Sequence, residues 1–350
     1  MNYNVAVLGT GYMARKHCET LVHHQNVRLT AICSTERSLQ AAEDFKSRYG
    51  FTYSTTDYSS ILSDSNVDIV FVCSPDNNHA EQVCCALEAG KHVFCEKPLA
   101  RTKKDFQKIG MTLERSDRRL QVGMNCRFRE QYAKAGQLVA SGELGYLRFL
   151  RGTYIVNTVA SVRQQEKAWW LDYPSGVFPF LHGGGIHCLD LLRWIGGPVE
   201  SVFASSTAFE LGVELGADTF SISIKFLHGA MGELLVAAGA FRPNDFSLEM
   251  WLSRGSIVGI RVFRRQGDLL SSEPEEITVE QKTIDLDLQF TDMIRSIESG
   301  SEPLNSFAEA YENFRLLWAI HESIYSGKAV IVNEPAKVEG NQSDDKALRR

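Results

Sequence analysis

The segment NVAVLGTGYMA at residues 4–14 is an apolar run that leads directly into a glycine-rich turn. Its small residues, Gly9, Gly11 and Ala14, form the pattern G-x-G-x-x-A. The first glycine permits a tight turn, the second lets a pyrophosphate approach the backbone, and the alanine lets a helix pack closely on the strand. The free N–H groups at the start of that helix favour a bound phosphate. The cofactor contacts predicted in this turn are Gly9, Thr10, Gly11, Tyr12 and Met13.

Strand-like and helix-like segments alternate over the first third of the chain. Apolar runs predict strands at residues 27–33, 67–73 and 92–95, and helical spacing of apolar residues predicts helices at 13–23, 38–49 and 79–89. Nearly continuous apolar strands joined by short helices are typical of a parallel, doubly wound α/β sheet. We therefore predict a dinucleotide-binding domain over residues 1–122.

The spacing of apolar residues changes in the rest of the chain, after residue 122. Several strand-like segments follow, at residues 149–159, 202–209, 219–226, 232–240 and 247–262, and some alternate apolar with polar side chains, as in TFSISIKF at 219–226. Such alternation indicates a mainly antiparallel sheet with two different faces. With helices predicted at 131–141, 186–195 and 306–326, it predicts an α+β domain over residues 123–332. We expect the helix at 306–326 to pack back on the first domain, and residues 333–350 to form a flexible tail.

Composition limits the classes of function. The 350 residues carry a formal charge of −6 with 44% hydrophobic residues, so the net charge gives no reason to bind nucleic acid. No apolar run approaches the roughly 18 residues that a membrane span needs, and the start does not resemble a secretory signal. The eight cysteines are scattered without a CxxC pair, which favours free thiols in a reducing cytoplasm over disulfides or a zinc site.

The end of the second predicted strand bears on the choice of coenzyme. An acidic residue about twenty positions after the glycine turn would bind the adenosine 2′-hydroxyl of NAD. Here the strand ends in AICSTER at 31–37, with no carboxylate before Glu36. The hydroxyls of Ser34 and Thr35 and the guanidinium of Arg37 suit a 2′-phosphate, so we favour NADP over NAD. In the alternative, Glu36 reaches the ribose, or Glu36 and Arg37 begin a solvated helix.

Polar residues follow the next two predicted strands at their carboxyl ends. SPDNNH occupies residues 74–79 and EKPL occupies residues 96–99. Ligands of open α/β sheets bind at this edge. The further cofactor contacts predicted here are Ser74, Pro75, Asn78, His79, Glu96 and Lys97.

Several of these segments together resemble the Gfo/Idh/MocA oxidoreductases, relatives of glucose–fructose oxidoreductase and inositol dehydrogenase. The matching segments are GTGYMA at 9–14, CSPDNNHAE at 73–81, AGKHVFCEKPLA at 89–100, VGMNCRF at 122–128 and GGGIHCLDLLRWIGG at 183–197. The resemblance implies an N-terminal Rossmann domain and a C-terminal domain with a large open sheet. It also implies NAD(P)-dependent oxidation or reduction of a sugar or polyol, in a homodimer or homotetramer assembled through that sheet.

The resemblance also implies the catalytic residues. Lys97 resembles the family lysine that lies between nicotinamide and substrate, where an ammonium can stabilise a developing alkoxide. His187 is the candidate general acid/base, since the unperturbed pKa of histidine lies near 6.5. The family commonly has an aspartate four residues before this histidine, but Gly183 stands there. Either His182 replaces that carboxylate, or the proton relay uses Lys97 and His187 alone.

Further residues are candidates for the substrate cleft. On a helix that starts near residue 186, Asp190 lies on the same face as His187, so it either orients the imidazole or pairs with an arginine from elsewhere. A metal bound by His182 and His187 is disfavoured, because a spacing of five does not place both on one helix face. Besides Lys97, the predicted substrate contacts are Asn125, Arg127, Tyr154, Trp169, His182, His187 and Asp190.

The leading hypothesis is a dehydrogenase or reductase acting on a small carbohydrate-like substrate. A second hypothesis is a glycoside-cleaving enzyme that oxidises a sugar transiently with a retained coenzyme, and the missing aspartate keeps it open. A third is an NAD(P)-sensing regulator without turnover, against which the presence of both Lys97 and His187 argues. The motifs do not identify the substrate, because specificity in this architecture comes from the C-terminal sheet and loops.

Overall fold

The computed structural model describes residues 2–159, 178–210, 216–271, 273–280 and 285–334. The predicted substrate contact Trp169, its neighbour Trp170 and residues 335–350 of the predicted tail lie outside the described residues. None of the helices within the described ranges combines the length and the apolar character needed to cross a bilayer.

The N-terminal part forms a six-stranded sheet in which every pair of neighbours is parallel. Its strands are β1 Tyr3–Leu8, β2 Val27–Cys33, β3 Tyr53–Thr55, β4 Ile69–Val72, β5 His92–Cys95 and β6 Leu120–Val122. The helices are α1 Tyr12–Leu21, α2 Leu39–Tyr49, α3 Tyr58–Ser63, α4 His79–Glu88 and α5 Lys103–Leu113. The order 3-2-1-4-5-6 is that of a doubly wound Rossmann sheet, which confirms the predicted fold class.

Both faces of this sheet are buried, and this explains the apolar runs in its sequence. Val5 and Val7 of β1 face a core that includes α1 and α2, whereas Ala6 and Leu8 face the opposite core with α4. Successive side chains of a strand point to opposite faces, so a strand covered on both sides needs apolar residues at every position. The predicted bounds of the strands and helices in this part agree with the structure to within two residues.

The C-terminal part forms a ten-stranded, mainly antiparallel sheet, as predicted. Its strands are β7 Leu147–Ile155, β8 Val199–Thr207, β9 Thr219–Phe226, β10 Met231–Ala237, β11 Asp245–Leu252, β12 Gly255–Val258, β13 Arg261–Gln266, β14 Leu269–Leu270, β15 Glu275–Glu276 and β16 Val330–Ile331. The helices are α6 Glu130–Ala140, α7 Ile186–Gly196, α8 Asp285–Ser299 and α9 Phe307–Ser326. β7 and β10 run parallel to each other at the centre of the sheet.

One predicted strand is wrong. We expect residues 247–262 to form a single strand, but they form parts of β11, β12 and β13, which are separated by a hairpin turn at Gly259 and Ile260 and, before it, by a hairpin turn at Ser253 and Arg254. Apolar residues continue on both sides of this turn, and the two turn residues are not the Asn-Gly or Gly-Gly pairs that mark hairpins. Gly255 begins the return strand, where a Cβ would lie 2.4 Å from the carbonyl oxygen of Phe263.

Two helices connect the parts of the molecule. α9 packs on the first sheet's helices, with the rings of Phe106 and Phe314 stacked at 4.0 Å, and it also contacts the large sheet, where Ser323 accepts the N–H of Ala204. α8, which we did not predict, packs on the opposite core of the first sheet through Phe290. Residues 285–299 thus contact the first sheet although they fall in the second predicted domain, and the domain boundary at 122/123 stays a prediction.

Candidate active site

The glycine turn after β1 has the conformation and the clearance that a pyrophosphate requires. Gly9 has φ +101°, and a Cβ there would lie 2.6 Å from the carbonyl oxygen of Cys73, so only glycine fits. Gly11, which precedes α1, has no atom within 4 Å of the position of a Cβ. Ala14 is buried where α1 packs on the sheet. A phosphate can therefore approach the N–H groups at the start of α1 without displacing a side chain.

The other predicted cofactor contacts lie along the same edge of the sheet. β2, β1, β4 and β5 are successive neighbours, and the predicted residues follow their carboxyl ends. The chain order of the strands reverses between β1 and β4, and the crevice at such a reversal is where doubly wound sheets bind dinucleotides. The residues brought to this edge are Gly9 to Met13, Ser34, Thr35, Arg37, Ser74, Pro75, Asn78, Glu96 and Lys97.

The end of β2 presents hydroxyl groups, the carboxylate of Glu36 and a guanidinium. Thr35 and Arg37 are exposed, and the N–H of Ser34 donates to the carbonyl of Thr55. Glu36 is exposed as well, and one of its carboxylate oxygens accepts a hydrogen bond from the hydroxyl of Thr56 in the neighbouring loop.

His79 is corrected from a cofactor contact to a residue that joins two loops. Its ring is buried between two carbonyl oxygens, that of Ser74 at 2.9 Å from Nε2 and that of Pro98 at 2.8 Å from Nδ1. Both ring nitrogens therefore face protein oxygens instead of the groove. The Ser74 hydroxyl also turns inward and donates to the side-chain oxygen of Gln82 at 2.5 Å.

Glu96 is held by the phosphate-binding helix. One carboxylate oxygen lies 2.8 Å from Nε2 of His17 on α1, and the other accepts the N–H of Lys97 at 3.2 Å. Gly123 leaves room for the carboxylate, since a Cβ there would lie 3.0 Å from it. Burial raises the pKa of Glu96, but the hydrogen bond and charge of His17 and the charge of Lys97 outweigh it, and the pKa is lowered. Glu96 thus supports the turn from within, and its contact with a cofactor stays a prediction.

Lys97 reaches the turn that contains Gly183. Its ammonium donates a hydrogen bond to the carbonyl oxygen of Gly183, on the π-helical turn Leu181–Gly185 that leads into α7. Burial lowers the pKa of Lys97, and Glu96 offsets part of this effect. A lysine whose charged form is destabilised in this way is suited to proton exchange as well as to hydrogen bonding.

His187 lies beside Lys97 at the start of α7. Burial lowers its pKa well below 6.5, and the nearby positive charges of Lys97 and Arg129 lower it further, so the imidazole is neutral at neutral pH. The Nδ1 atom of His187 is buried and has no hydrogen-bond partner among the described residues. The structure thus brings the two predicted catalytic residues together, with the histidine in its proton-accepting form.

His182 faces a different part of the molecule. Its Nε2 lies 3.1 Å from Nε2 of His321 on α9, and both rings are buried. Burial lowers the pKa of His182 well below its usual value and that of His321 to about 4, so both rings are neutral at neutral pH. A neutral imidazole that pairs with another histidine does not supply the negative charge of the family aspartate.

Arg127 and Asp190 are corrected from substrate contacts to a buried ion pair. The Asp190 carboxylate, 0% exposed, accepts from Nε and Nη2 of Arg127 at 2.9 and 2.5 Å and from the amide of Asn313 at 2.6 Å. Arg127 also donates to Glu309 at 2.7 Å. Of the two roles that the sequence left open for Asp190, the structure shows the arginine pair and no hydrogen bond to His187.

Asn125 and Tyr154 lie around the same site as His187. Tyr154 on β7 packs against the backbone of Gly184, where a Cβ would lie 2.4 Å from the tyrosine oxygen. The ring of Phe246 stands edge-on to Tyr154 at 5.8 Å, and the Arg129 guanidinium lies 5.5 Å from that ring. Asn125 donates to Asp285 at 2.8 Å.

Sequence reasoning missed four residues that shape this site: His17, Arg129, Phe246 and Asp285. His17 follows Ala14 by three positions and therefore shares its buried face of α1. This spacing could have predicted from the sequence that His17 faces the sheet. The other three come from separate parts of the chain, and no local pattern relates them.

The fold and site define a class of protein, the nicotinamide-dependent oxidoreductases with a Rossmann domain and a second, open-sheet domain. The chain belongs to the Gfo/Idh/MocA family. Residues 3–124 match the profile described as an oxidoreductase family with an NAD-binding Rossmann fold, and residues 132–258 match the profile of the GFO/IDH/MocA C-terminal domain.

Similar proteins include dehydrogenases of different substrates. Myo-inositol 2-dehydrogenase of Thermotoga maritima is 27% identical, over 94% of this chain and 98% of that protein. The 4-carboxy-2-hydroxymuconate-6-semialdehyde dehydrogenase of a Sphingobium species is 26% identical, over 89% of this chain and 96% of that protein. A solved structure of levoglucosan dehydrogenase in complex with NADH has the same fold, with a TM-score of 0.86 at 24% identity, over 95% of this chain and 100% of that one.

Proposed function

We propose that the protein is an NAD(P)-dependent dehydrogenase or reductase that interconverts a hydroxyl and a ketone on a sugar, polyol or sugar derivative. The observation that carries the proposal is that Lys97, at the carboxyl edge of the first sheet, is hydrogen-bonded to the turn at Gly183 that leads directly into the helix bearing His187. The relatives that act on myo-inositol and levoglucosan support a hydroxylated substrate.

The coenzyme-binding residues fit a dinucleotide. Gly9 and Gly11 leave the start of α1 free for the pyrophosphate, and the crevice between β1 and β4 leads from there to Lys97. A bound nicotinamide supplies the hydride acceptor or donor. At the other end, the exposed Thr35 and Arg37 favour a 2′-phosphate, so we propose a preference for NADP.

Lys97 and His187 stabilise the reacting oxygen and transfer the proton of the substrate hydroxyl. Lys97 donates a hydrogen bond to the reacting oxygen of the substrate and stabilises the negative charge that develops there. His187 is neutral at neutral pH, so its imidazole can accept the hydroxyl proton during oxidation and return it during reduction. The carbonyl of Gly183 orients the Lys97 ammonium, so a carboxylate at residue 183 is not required for that task.

A coenzyme assay tests the proposal. The purified protein is incubated with NAD or NADP and a panel of sugars and polyols, and formation of reduced coenzyme is followed by absorbance. We expect Lys97→Ala to lower turnover by at least about 10²-fold while coenzyme affinity changes little, because lost transition-state stabilisation and proton transfer contribute factors of this size. Lys104→Ala, an exposed lysine on α5, is the matched control and should retain activity.

The outcomes separate the hypotheses. Full turnover in Lys97→Ala would contradict the assignment of the site. Cleavage of a glycoside without net conversion of added coenzyme would favour the enzyme with a retained coenzyme. Tight coenzyme binding without turnover of any sugar would favour a regulator.

We also propose that the protein works as a cytoplasmic homo-oligomer assembled through the large sheet. All eight cysteines are free, which suits a reducing compartment. One face of the sheet is covered by α7 and α9, while the other exposes a row of apolar side chains in which Met231 and Trp251 flank Phe149 in register. Met231 is 59% and Trp251 44% exposed, and such rows are typical of subunit contacts. Sedimentation of the purified protein measures the assembly.

A further inference from the structure

The guanidinium of Arg129 is anchored on one side only. Its Nε donates to Asp285 at 3.2 Å, and the side chain lies against the ring of Phe246. Asp285 is itself held in place, because the same carboxylate oxygen accepts from Asn125 and the other accepts the N–H of Leu286. Within the part of the chain that the structure describes, the two terminal nitrogens of Arg129 have no hydrogen-bond partner, and 40% of the side chain is exposed.

A series of contacts connects Arg129 with the candidate catalytic histidine. The sequence of contacts runs from Arg129 to Phe246, from Phe246 to Tyr154, and from Tyr154 to the glycine turn that precedes His187. The positive charge of Arg129 is also close enough to His187 to lower the pKa of its imidazole, as that of Lys97 does. The two terminal nitrogens of Arg129 therefore provide free N–H donors in the same region of the molecule as the candidate proton acceptor.

We propose that Arg129 binds a carboxylate of the substrate, so that the preferred substrates are acidic sugars or polyols such as uronates and aldonates. This inference rests on the proposed function and specifies its substrate class. The free edge of a guanidinium binds a carboxylate through two parallel hydrogen bonds, and Asp285 fixes the opposite edge so that this fork is held in one orientation.

Charge balance gives a second argument. Two cations, Lys97 and Arg129, act on His187, and both oppose the proton that His187 must accept. The nearby carboxylates have partners of their own: Asp285 pairs with Nε of Arg129, and Glu96 is buried against His17. Both cations nevertheless lower the pKa of His187. A substrate carboxylate on Arg129 would offset one positive charge, and His187 would become a stronger base when the correct substrate is bound.

Paired substrates test this inference. We would measure kcat/KM with glucuronate against glucose and with gluconate against glucitol, and binding of each acid to the coenzyme complex by calorimetry. We expect the acids to be preferred, and Arg129→Ala to lower their kcat/KM about 10- to 100-fold while changing that of the neutral partners little. Arg129→Lys should restore only part of the preference, because lysine lacks the fork. Arg148→Ala, an exposed arginine on β7, is the control for a general loss of charge.

The failures are distinguishable. Equal use of acidic and neutral partners by the unaltered protein, or an acid preference and acid binding that persist in Arg129→Ala, would overturn the substrate class and leave the dehydrogenase proposal in place. Absence of coenzyme conversion with every compound, together with no acid binding in the calorimeter, would overturn both.

Discussion

The buried pair of Asp190 and Arg127 can be tested by removing its charge with Asp190→Asn. If this carboxylate were a substrate contact or the partner of His187, the change would alter KM or turnover. The structure instead places it in the protein interior, with three hydrogen bonds to Arg127 and Asn313. We therefore expect a loss of stability and no change in coenzyme affinity.

The size of the effect follows from the contacts. Breaking a buried ion pair by removing one partner costs about 3–5 kcal/mol, because the remaining charge is left without compensation. Arg127 keeps its contacts with Glu309 at 2.7 Å and with the carbonyl of Leu304 at 3.2 Å, so we expect the lower end of that range, about 3 kcal/mol. At about 2.1 cal/mol/K per residue, a 350-residue chain unfolds with an entropy of roughly 0.7 kcal/mol/K, and Tm should fall by roughly 4 °C.

Thermal unfolding followed by circular dichroism measures this change. Asp268→Asn is the matched control, because it removes the same charge from an exposed pair with Arg265, and its Tm should not change measurably. An unaltered Tm in Asp190→Asn, or a raised KM at unaltered Tm, would refute the assignment of Asp190 to a structural pair.

Two further predictions concern the coenzyme turn and the buried histidines. Gly9→Ala should lower coenzyme affinity at least about 10-fold in a fluorescence titration, because an alanine at φ +101° is strained and overlaps the carbonyl of Cys73; unchanged affinity would contradict the role of this turn. His182, His187 and His321 have lowered pKa values in the folded protein, whereas the unfolded chain binds their protons near pH 6.5, so stability should fall as the pH drops from about 6.5 towards 4. Urea unfolding at neutral pH and near pH 5 measures this, with the exposed His23→Gln as a control that keeps the slope, and a stability independent of pH in that window would contradict it.

Four of the six strands of the first sheet could be predicted because their signals are local, whereas β3 and β6, with three residues each, were not predicted. Apolar strands, helical periodicity and the Gly9–Ala14 turn each lie within about a dozen residues of sequence. Because helices cover both faces of the sheet, its strands are apolar at nearly every position, and this strengthens the strand signal. The hairpin between β11 and β12 could not be predicted because its turn lacks such a local signal. The two central residues are neither glycine nor proline, and the apolar pattern continues through the turn.

The side-chain partners of the site could not be predicted in this way. Helical spacing placed Asp190 and His187 on one face of α7, but the choice of partner depended on Arg127, 63 residues away, and on Asn313, 123 residues away. His182 illustrates the same difficulty, because His321 lies 139 residues further along the chain. The pairings with Asn313 and His321 follow from how α9 packs between the two sheets, and no spacing within the sequence encodes that packing.

The absence of a carboxylate at residue 183 has a consequence for the whole site. The Gly183 backbone carbonyl takes over the orientation of Lys97, but a carbonyl contributes a dipole and no full negative charge. The space beside Gly183 is open, with no atom within 4 Å of a Cβ position, and His182 faces His321 instead. Lys97 and Arg129 thus both lower the pKa of His187, even though Asp285 pairs with Arg129. A substrate that binds Arg129 through its own carboxylate would supply that missing negative charge. An acidic substrate would then explain why the site works with glycine at residue 183, where the family commonly has an aspartate.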